Sequence, residues 1–315
     1  MRGINIIADI KVAIPILQDK VSLNRINFDV ADEVNFLRND WANELERLGN
    51  KTSNEAIKNP EINDNNSLAP EKFAKFMKQI YPDLEVMPQT RVIHLLRRHL
   101  SHDAIITSAS GSLPGDLQRM WTTNSFGSYN VEYGYSCMGH EIQAAIGSSI
   151  AIGNRPTYSL VGDGSFIMLH SEMLTAVQEG IPTVIVLFDN SGFSVINNLQ
   201  VGHKLSSLET EFYSREKAGQ NNYKNYVTTN FAQIAKGYGW DSILVKNEDE
   251  LIEALEKSKT VTKPFLIEVK VFPKSMTHGY EAFWQTTNVE ITDDKEIAKE
   301  SIKNQKIINE NNNFN

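Results

Sequence analysis

A single cysteine, Cys137, occurs in the 315 residues. One thiol excludes an internal disulfide framework and a structural zinc site built from cysteines, and it fits a reducing, cytoplasmic compartment. Long apolar runs are also missing. A membrane-spanning helix takes about 20 apolar residues, whereas the run at 183–188 is typical of the longest here. Residues 4–17 are apolar, but Asp9 and Lys11 interrupt them and no small-residue cleavage site follows, so they do not read as a signal peptide. Positive charge is scarce as well: 31 Lys and Arg stand against 39 Asp and Glu, for a net charge of −8. Nucleic-acid surfaces are usually marked by a basic patch, so neither nucleic acid nor membrane is expected as a partner. What is present, 41% hydrophobic and 22% charged residues, describes an ordinary globular chain with core enough to bury.

Residues 4–10 read as a strand. Over 21–48 the apolar residues Phe28, Val34, Leu37, Trp41, Leu45 and Leu48 recur at helical spacing. A strand and a helix without a partner surface before them suggest either the remnant of a central domain, residues 1–48, or a packed N-terminal arm. Residues 49–70 are polar and Asn-rich, punctuated by Pro60 and Pro70. Together with a short helix over 72–80 they form an expected linker, 49–87.

From Pro88 onward helices and strands alternate. Pro88 is placed to open a helix ending at Leu100, with Val92, Leu95, Leu96 and Leu100 on one face. Strands follow at 104–107, 157–161, 183–188, 243–245 and 265–272, and helices at 141–152, 166–178, 231–238 and 248–257. This alternation predicts an α/β fold: a parallel sheet with helices on both faces, in a main domain spanning 88–289. Residues 290–315 form a C-terminal tail, Asn-rich after Ile302 and expected to fray. The polar stretch 206–230 is either a mobile surface insertion or a long loop over the site.

Gly162-Asp163-Gly164-Ser165 stands where a strand ends and a helix begins. Its glycines permit a tight turn and close approach of a ligand, and a helix N-terminus offers free N–H groups and a positive dipole end to a diphosphate. Alone, Gly-Asp-Gly also marks ordinary turns. The return path sharpens the reading. A helix over 166–178 spans about 20 Å, and the next strand with its approach loop covers about that distance back. The chain thereby delivers Asp189-Asn190-Ser191-Gly192 beside Asp163, at the carboxyl edge where open α/β sheets bind ligands. A carboxylate, an amide oxygen and a backbone carbonyl converging there are hard donors suited to Mg²⁺.

Gly162-Asp163-Gly164, with Asn190 closing the interval, resembles the cofactor motif of the thiamine-diphosphate (ThDP) enzymes. That motif usually ends in two asparagines; here the first is Asp189. The resemblance implies that Asp163, the Asn190 side chain and the Gly192 carbonyl hold Mg²⁺, and that Gly162, Gly164, Ser165, Asn190 and Gly192 lie against ThDP. Cys137-Met138-Gly139, leading into 141–147, is similar to the family segment whose bulky apolar residue, here Met138, props the cofactor into its bent shape. By residue type alone Met138 would be a core methionine.

The segments 109–117, 131–139, 192–193, 196–200 and 277–284 look like one branch of that family, whose members hydrolytically open a cyclic polyol-dione in inositol breakdown. On this resemblance Gly111 and Ser112 join the cofactor-binding set. His140, in place of an aromatic residue, and Ser194 with Val195 depart from the branch pattern at positions that bear on substrate fit.

ThDP enzymes of this kind take an activating glutamate from a separate pyrimidine-binding domain. None of Glu33, Glu44, Glu46 or Glu55 sits in a suitable context. The resemblance therefore implies a C-terminal portion with no catalytic group of its own, completed by that domain from another chain or a missing segment, in a homo- or hetero-oligomer. The alternatives are another ThDP lyase resembling acetolactate synthase, or a non-catalytic subunit. His140 and His170 read as hydrogen-bonded helix histidines or as contacts to phosphate or substrate; His203 and His278 could line a sugar-like substrate. His94, His99 and His102 lack zinc-ligand spacing. Arg97-Arg98 reads as a solvated helix face, and Cys137 as a small buried filler.

Overall fold

The computed structural model describes residues 6–21, 31–57, 70–123, 125–153, 155–202, 205–218, 223–273, 275, 277 and 291–312. The first half runs α1 (Ile10–Val21), α2 (Ala31–Gly49), α3 (Ser53–Ile57), α4 (Pro70–Ile80), α5 (Gln89–His99), β1 (Ile105–Ser108), α6 (Ser112–Met120), β2 (Tyr129–Val131), α7 (His140–Ile152) and β3 (Thr157–Gly162). The second half runs α8 (Asp163–Leu169), α9 (Met173–Gln178), β4 (Val184–Asp189), α10 (Ser194–Gly202), β5 (Tyr213–Arg215), β6 (Tyr223–Tyr226), α11 (Phe231–Gly237), β7 (Asp241–Val245), α12 (Glu248–Ser258), β8 (Phe265–Lys270) and α13 (Lys295–Asn312).

Six strands form one sheet in the order β2-β1-β3-β4-β8-β7, and every pairing is parallel. Both faces of such a sheet must be covered, and the sequence of β4 shows how. Val184, Val186 and Phe188 pack on one side with residues of α5, α6 and α12. Ile185 and Leu187 pack on the other with α7, α8, α9 and α11. Each of these side chains contributes about 1.5–3 kcal/mol by leaving water. The α/β alternation expected from Pro88 onward is therefore present, with element ends shifted by one to three residues.

The N-terminal reading needs correction. Residues 4 and 5 lie outside the described set, and residues 6–9 form no strand. Instead Asp9 caps α1: its Oδ1 accepts the Lys11 N–H at 2.8 Å and its carbonyl the Ala13 N–H at 2.9 Å. An isolated strand leaves its backbone unpaired, whereas a capped helix satisfies its own. Phe28 is outside the described residues. Helix α2 begins only at Ala31 and buries Leu48 at its end, while Leu37 and Phe36 stay exposed. Arg91 of α5 ties that end down, donating to the Gly49 carbonyl at 3.1 Å and gripping Glu248 of α12 with two contacts of 2.8 Å.

The end of the expected linker is folded structure. Helix α4 buries Phe73 and Met77 in a small cluster with Leu84, Val86, Tyr226 and Phe272. Residues 58–69 lie outside the described set. The expected single helix over 166–178 starts earlier, at Asp163, and is broken: Leu169 (φ −142°, ψ 31°) leads into a 3₁₀ turn, His170–Glu172, before α9. The tail is helical through Asn312, with Asn304 buried.

Of the two readings of 206–230, the described residues support the loop at the site. Strands β5 and β6 pair as a hairpin. The Thr210 carbonyl accepts the Phe193 N–H at 2.7 Å, and the Ser191 carbonyl accepts the Phe212 N–H at 2.8 Å.

Candidate cofactor and cation site

Gly162 of β3 pairs in register with Phe188 of β4, so the residues that follow each leave the sheet side by side. Asp163 opens α8; Asp189 and Asn190 open a turn. Asp189 Oδ1 accepts the Ser191 N–H at 3.0 Å, and Ser191 takes the left-handed conformation (φ 56°), rare for a residue with a side chain. That turn brings Gly192 back so that its N–H donates to Asp163 Oδ2 at 2.9 Å.

Two oxygens are left over. Asp163 Oδ1 and Asn190 Oδ1 are both buried without a hydrogen-bond partner. An unsatisfied buried polar atom costs about 1–3 kcal/mol, so this pair marks a place built for something else. Charge says the same. Asp163, Asp189, Glu268 and Lys270 are all buried, three carboxylates against one ammonium. Burial, and then the neighbouring Asp189 charge, push the Asp163 carboxyl well above the ordinary carboxylate range. A divalent cation would satisfy both oxygens and balance the charge. The donor chemistry, one carboxylate with one amide oxygen, fits Mg²⁺, which keeps positions for water and phosphate oxygens.

Asp163 and Asn190 line a cleft that is open to solvent. Every sequence-predicted site residue lines it. Gly162, Asp163, Gly164 and Ser165 come from the β3–α8 junction, and Asn190 and Gly192 from the end of β4. Gly111 (φ 103°) and Ser112 bring in the first turn of α6, and Met138 also lines the cleft, half-buried. A Cβ at Gly164 would lie 2.6 Å from the Phe193 ring, so any larger residue there must displace that ring. The Met138 loop is held by Glu132, whose carboxylate accepts the N–H groups of Tyr135 (2.8 Å) and Cys137 (2.7 Å). This outward loop leaves Cys137 exposed, which corrects its reading as a buried filler.

Sequence reasoning missed two residues. Gln89 lines the cleft at the start of α5, its amide donating to Asp116 Oδ2 at 2.7 Å. Asp116, fully buried, also accepts the N–H (3.0 Å) and hydroxyl (2.8 Å) of Thr277. The second is Lys270. Its signal was available: Glu268 and Lys270 stand two apart in a strand that is otherwise apolar.

The remaining candidates lie elsewhere. His170 is half-buried against Phe166 with Nδ1 3.2 Å from the Tyr238 hydroxyl, a hydrogen-bonded helix histidine. His140 is exposed at the start of α7. His203, His278 and residues 278–284 lie outside the described set. Arg97 is only half exposed, reaching the Met120 carbonyl (3.3 Å) and Glu46 (3.7 Å), so only Arg98 belongs to a solvated face. No helix among the described residues is long and apolar enough to cross a membrane.

Residues 109–269, half of the chain, match the family model for the thiamine pyrophosphate enzyme C-terminal TPP-binding domain; thiamine pyrophosphate is another name for ThDP. The chain belongs to that family. Among curated proteins it is 38% identical over 303 residues to a 3D-(3,5/4)-trihydroxycyclohexane-1,2-dione hydrolase of Clostridium botulinum, covering 96% of this chain and 46% of that protein. It is 42% identical over 279 residues to the protein of that name from Clostridium perfringens, covering 89% and 42%. The chain thus spans less than half the length of these relatives and matches their C-terminal portion. Among solved structures, a Rhodococcus jostii RHA1 thiamine diphosphate-dependent 4-hydroxybenzoylformate decarboxylase superposes with a TM-score of 0.51 over 60% of this chain and 33% of its own; at 22% identity the likeness is one of fold.

Proposed function

We propose that the cleft holds ThDP through Mg²⁺, and that the chain serves as the diphosphate-binding portion of a 3D-(3,5/4)-trihydroxycyclohexane-1,2-dione hydrolase. The reaction adds water across the bond between the two adjacent carbonyl carbons of the cyclic polyol-dione and gives 5-deoxy-glucuronate, a step of inositol breakdown. One observation carries the reading of the cleft: the unpartnered, buried oxygens of Asp163 and Asn190 at neighbouring strand ends. The substrate rests on the relatives' name.

Asp163, Asn190 and the Gly192 carbonyl would hold the cation. Gly164, Ser165, Gly111 and Ser112 would lie against the diphosphate, where the helix N-termini of α8 and α6 favour negative charge. Met138 would support the cofactor's bent form. When bound, ThDP supplies the carbanion that adds to a carbonyl and the electron sink that lets a C–C bond break. The chain's own contribution is positioning and exclusion of water. Among the described residues Asp163 is the one acid lining the cleft; by the family resemblance the acid–base step would fall to a glutamate of a pyrimidine-binding domain. That domain would come from the rest of a longer chain or a second polypeptide, in an oligomer. A reducing cytoplasm suits the exposed Cys137.

The test is a titration of the purified chain with ThDP and Mg²⁺, followed by a ring-opening assay with and without a pyrimidine-binding portion. Weak binding and little turnover alone, with activity on mixing, are expected. Robust turnover by the lone chain refutes the division of labour. Consumption of pyruvate in place of the dione points to a lyase resembling acetolactate synthase.

A further inference from the structure

Asp189 and Lys270 stand directly opposite one another in the register of β4 and β8. Both are buried, and the ammonium of Lys270 is in close contact with Asp189 Oδ2. The same ammonium forms an ion pair with Glu268 Oε1 at 2.8 Å and donates to the Thr229 carbonyl at 3.0 Å. Glu268 Oε2 in turn accepts the Ala232 N–H at 2.7 Å, in the first turn of α11. The Asp189 carboxylate is therefore shared out: one oxygen is taken by Lys270, the other by the Ser191 N–H that closes the turn carrying Asn190 and Gly192.

A buried ion pair adds little net stability compared with apolar side chains of similar volume. Its place here suggests a different use. The turn it borders holds Ser191 in a conformation that side-chain-bearing residues rarely adopt. Freed of Lys270, the Asp189 carboxylate would lose one of its two anchors, and with it the fixed position from which it closes the turn on the Ser191 N–H.

We propose that Lys270 is a positioning residue for the cation site: by clamping Asp189 it fixes the turn that presents the oxygens of Asn190 and Gly192. This rests on the cleft reading given under the proposed function. It adds a residue from another strand that touches neither cation nor cofactor.

The experiment uses the full chain and follows Mn²⁺ by electron paramagnetic resonance in the presence of inorganic diphosphate. Lys270→Met is expected to weaken Mn²⁺ binding at least tenfold and to alter the spectrum of the bound ion, measured below the variant's thermal midpoint. Deleting a positive charge near a cation should on electrostatic grounds alone tighten binding, so tighter binding overturns the proposal. Unchanged affinity overturns it too, leaving a core ion pair. Should Lys270→Met fail to fold, Lys270→Met combined with Glu268→Gln leaves the net charge unchanged and an acceptor for the Ala232 N–H while still removing the clamp; at least fivefold weaker binding is expected, and parental affinity overturns the proposal. If the unsubstituted chain holds no Mn²⁺, the cation site itself falls and this inference with it. Parental binding with an unaffected variant sinks the inference alone.

Discussion

Gly192 donates its N–H to Asp163 Oδ2 at 2.9 Å while its Cα is pressed against the opposite wall, where an added Cβ would stand 2.6 Å from the Thr210 carbonyl oxygen. Neither neighbour can give way, since one is backbone and the other a buried strand-end carboxylate. Gly192→Ala is expected to push the turn off Thr210 and pull its N–H from Asp163. Mn²⁺ affinity should drop at least tenfold, and the thermal midpoint by several degrees, as a loss of about 2 kcal/mol implies. Gly147, mid-helix in α7 with nothing within 4 Å of an added Cβ, is the control. There Gly→Ala should raise stability by about 0.5–1 kcal/mol.

Asp163→Asn should separate two effects that usually travel together. The asparagine oxygen can still accept the Gly192 N–H, but the buried negative charge is gone. Cation-free thermal stability is expected to hold or rise by about 1 kcal/mol, while Mn²⁺ binding is lost. A cation-free chain that melts many degrees lower would show Asp163 to be a structural acceptor in the first place.

At the far edge of the fold, a Cβ on Gly49 would meet the His94 ring at 2.2 Å. Gly49→Ala should therefore unseat the end of α2 from α5 and destabilise the chain by about 1–3 kcal/mol. Adding His94→Ala opens the space, so the double variant should recover part of that loss in urea unfolding, a non-additivity expected of touching side chains.

His94 also sets a pH dependence. Burial holds its imidazole below the ordinary histidine value, with nearby Arg91, Arg97 and Arg98 acting the same way and Glu46 opposing. The unfolded chain takes up that proton near pH 6.5, while the folded chain resists it. This contribution to stability is thus complete above about pH 7 and is lost as the pH falls through the unfolded value toward the lowered folded one. Urea midpoints at pH 7.5 and 5 should differ, and His94→Leu should shrink that difference.

How far the sequence could be read depended on which physics set each element. The run at 183–188 was legible because a strand buried on both faces shows as continuous Val and Ile, and β4 occupies Val184–Asp189. The cleft was legible because a chain that leaves one strand end and returns to the next must bring Asp163 and Asn190 together. Helix α6 was not, since Pro114 and Gly115 speak against a helix; buried Leu113, Leu117 and Met120 override that local preference. The break at Leu169 carries neither glycine nor proline to announce it. Residues 6–9 show the opposite error: Ile-rich β propensity has no meaning without a neighbouring edge to pair with.

Asp163 and Asn190 sit 27 positions apart in the chain, yet they are adjacent only because Gly162 lies opposite Phe188. A slip of β4 by one residue would carry Asn190 about 3.3 Å along the sheet and turn the Val184, Val186 and Phe188 row to the wrong layer. On the proposed cation reading, a misthreaded sheet would hold these two oxygens apart, so binding of the ion would favour the correct threading alone.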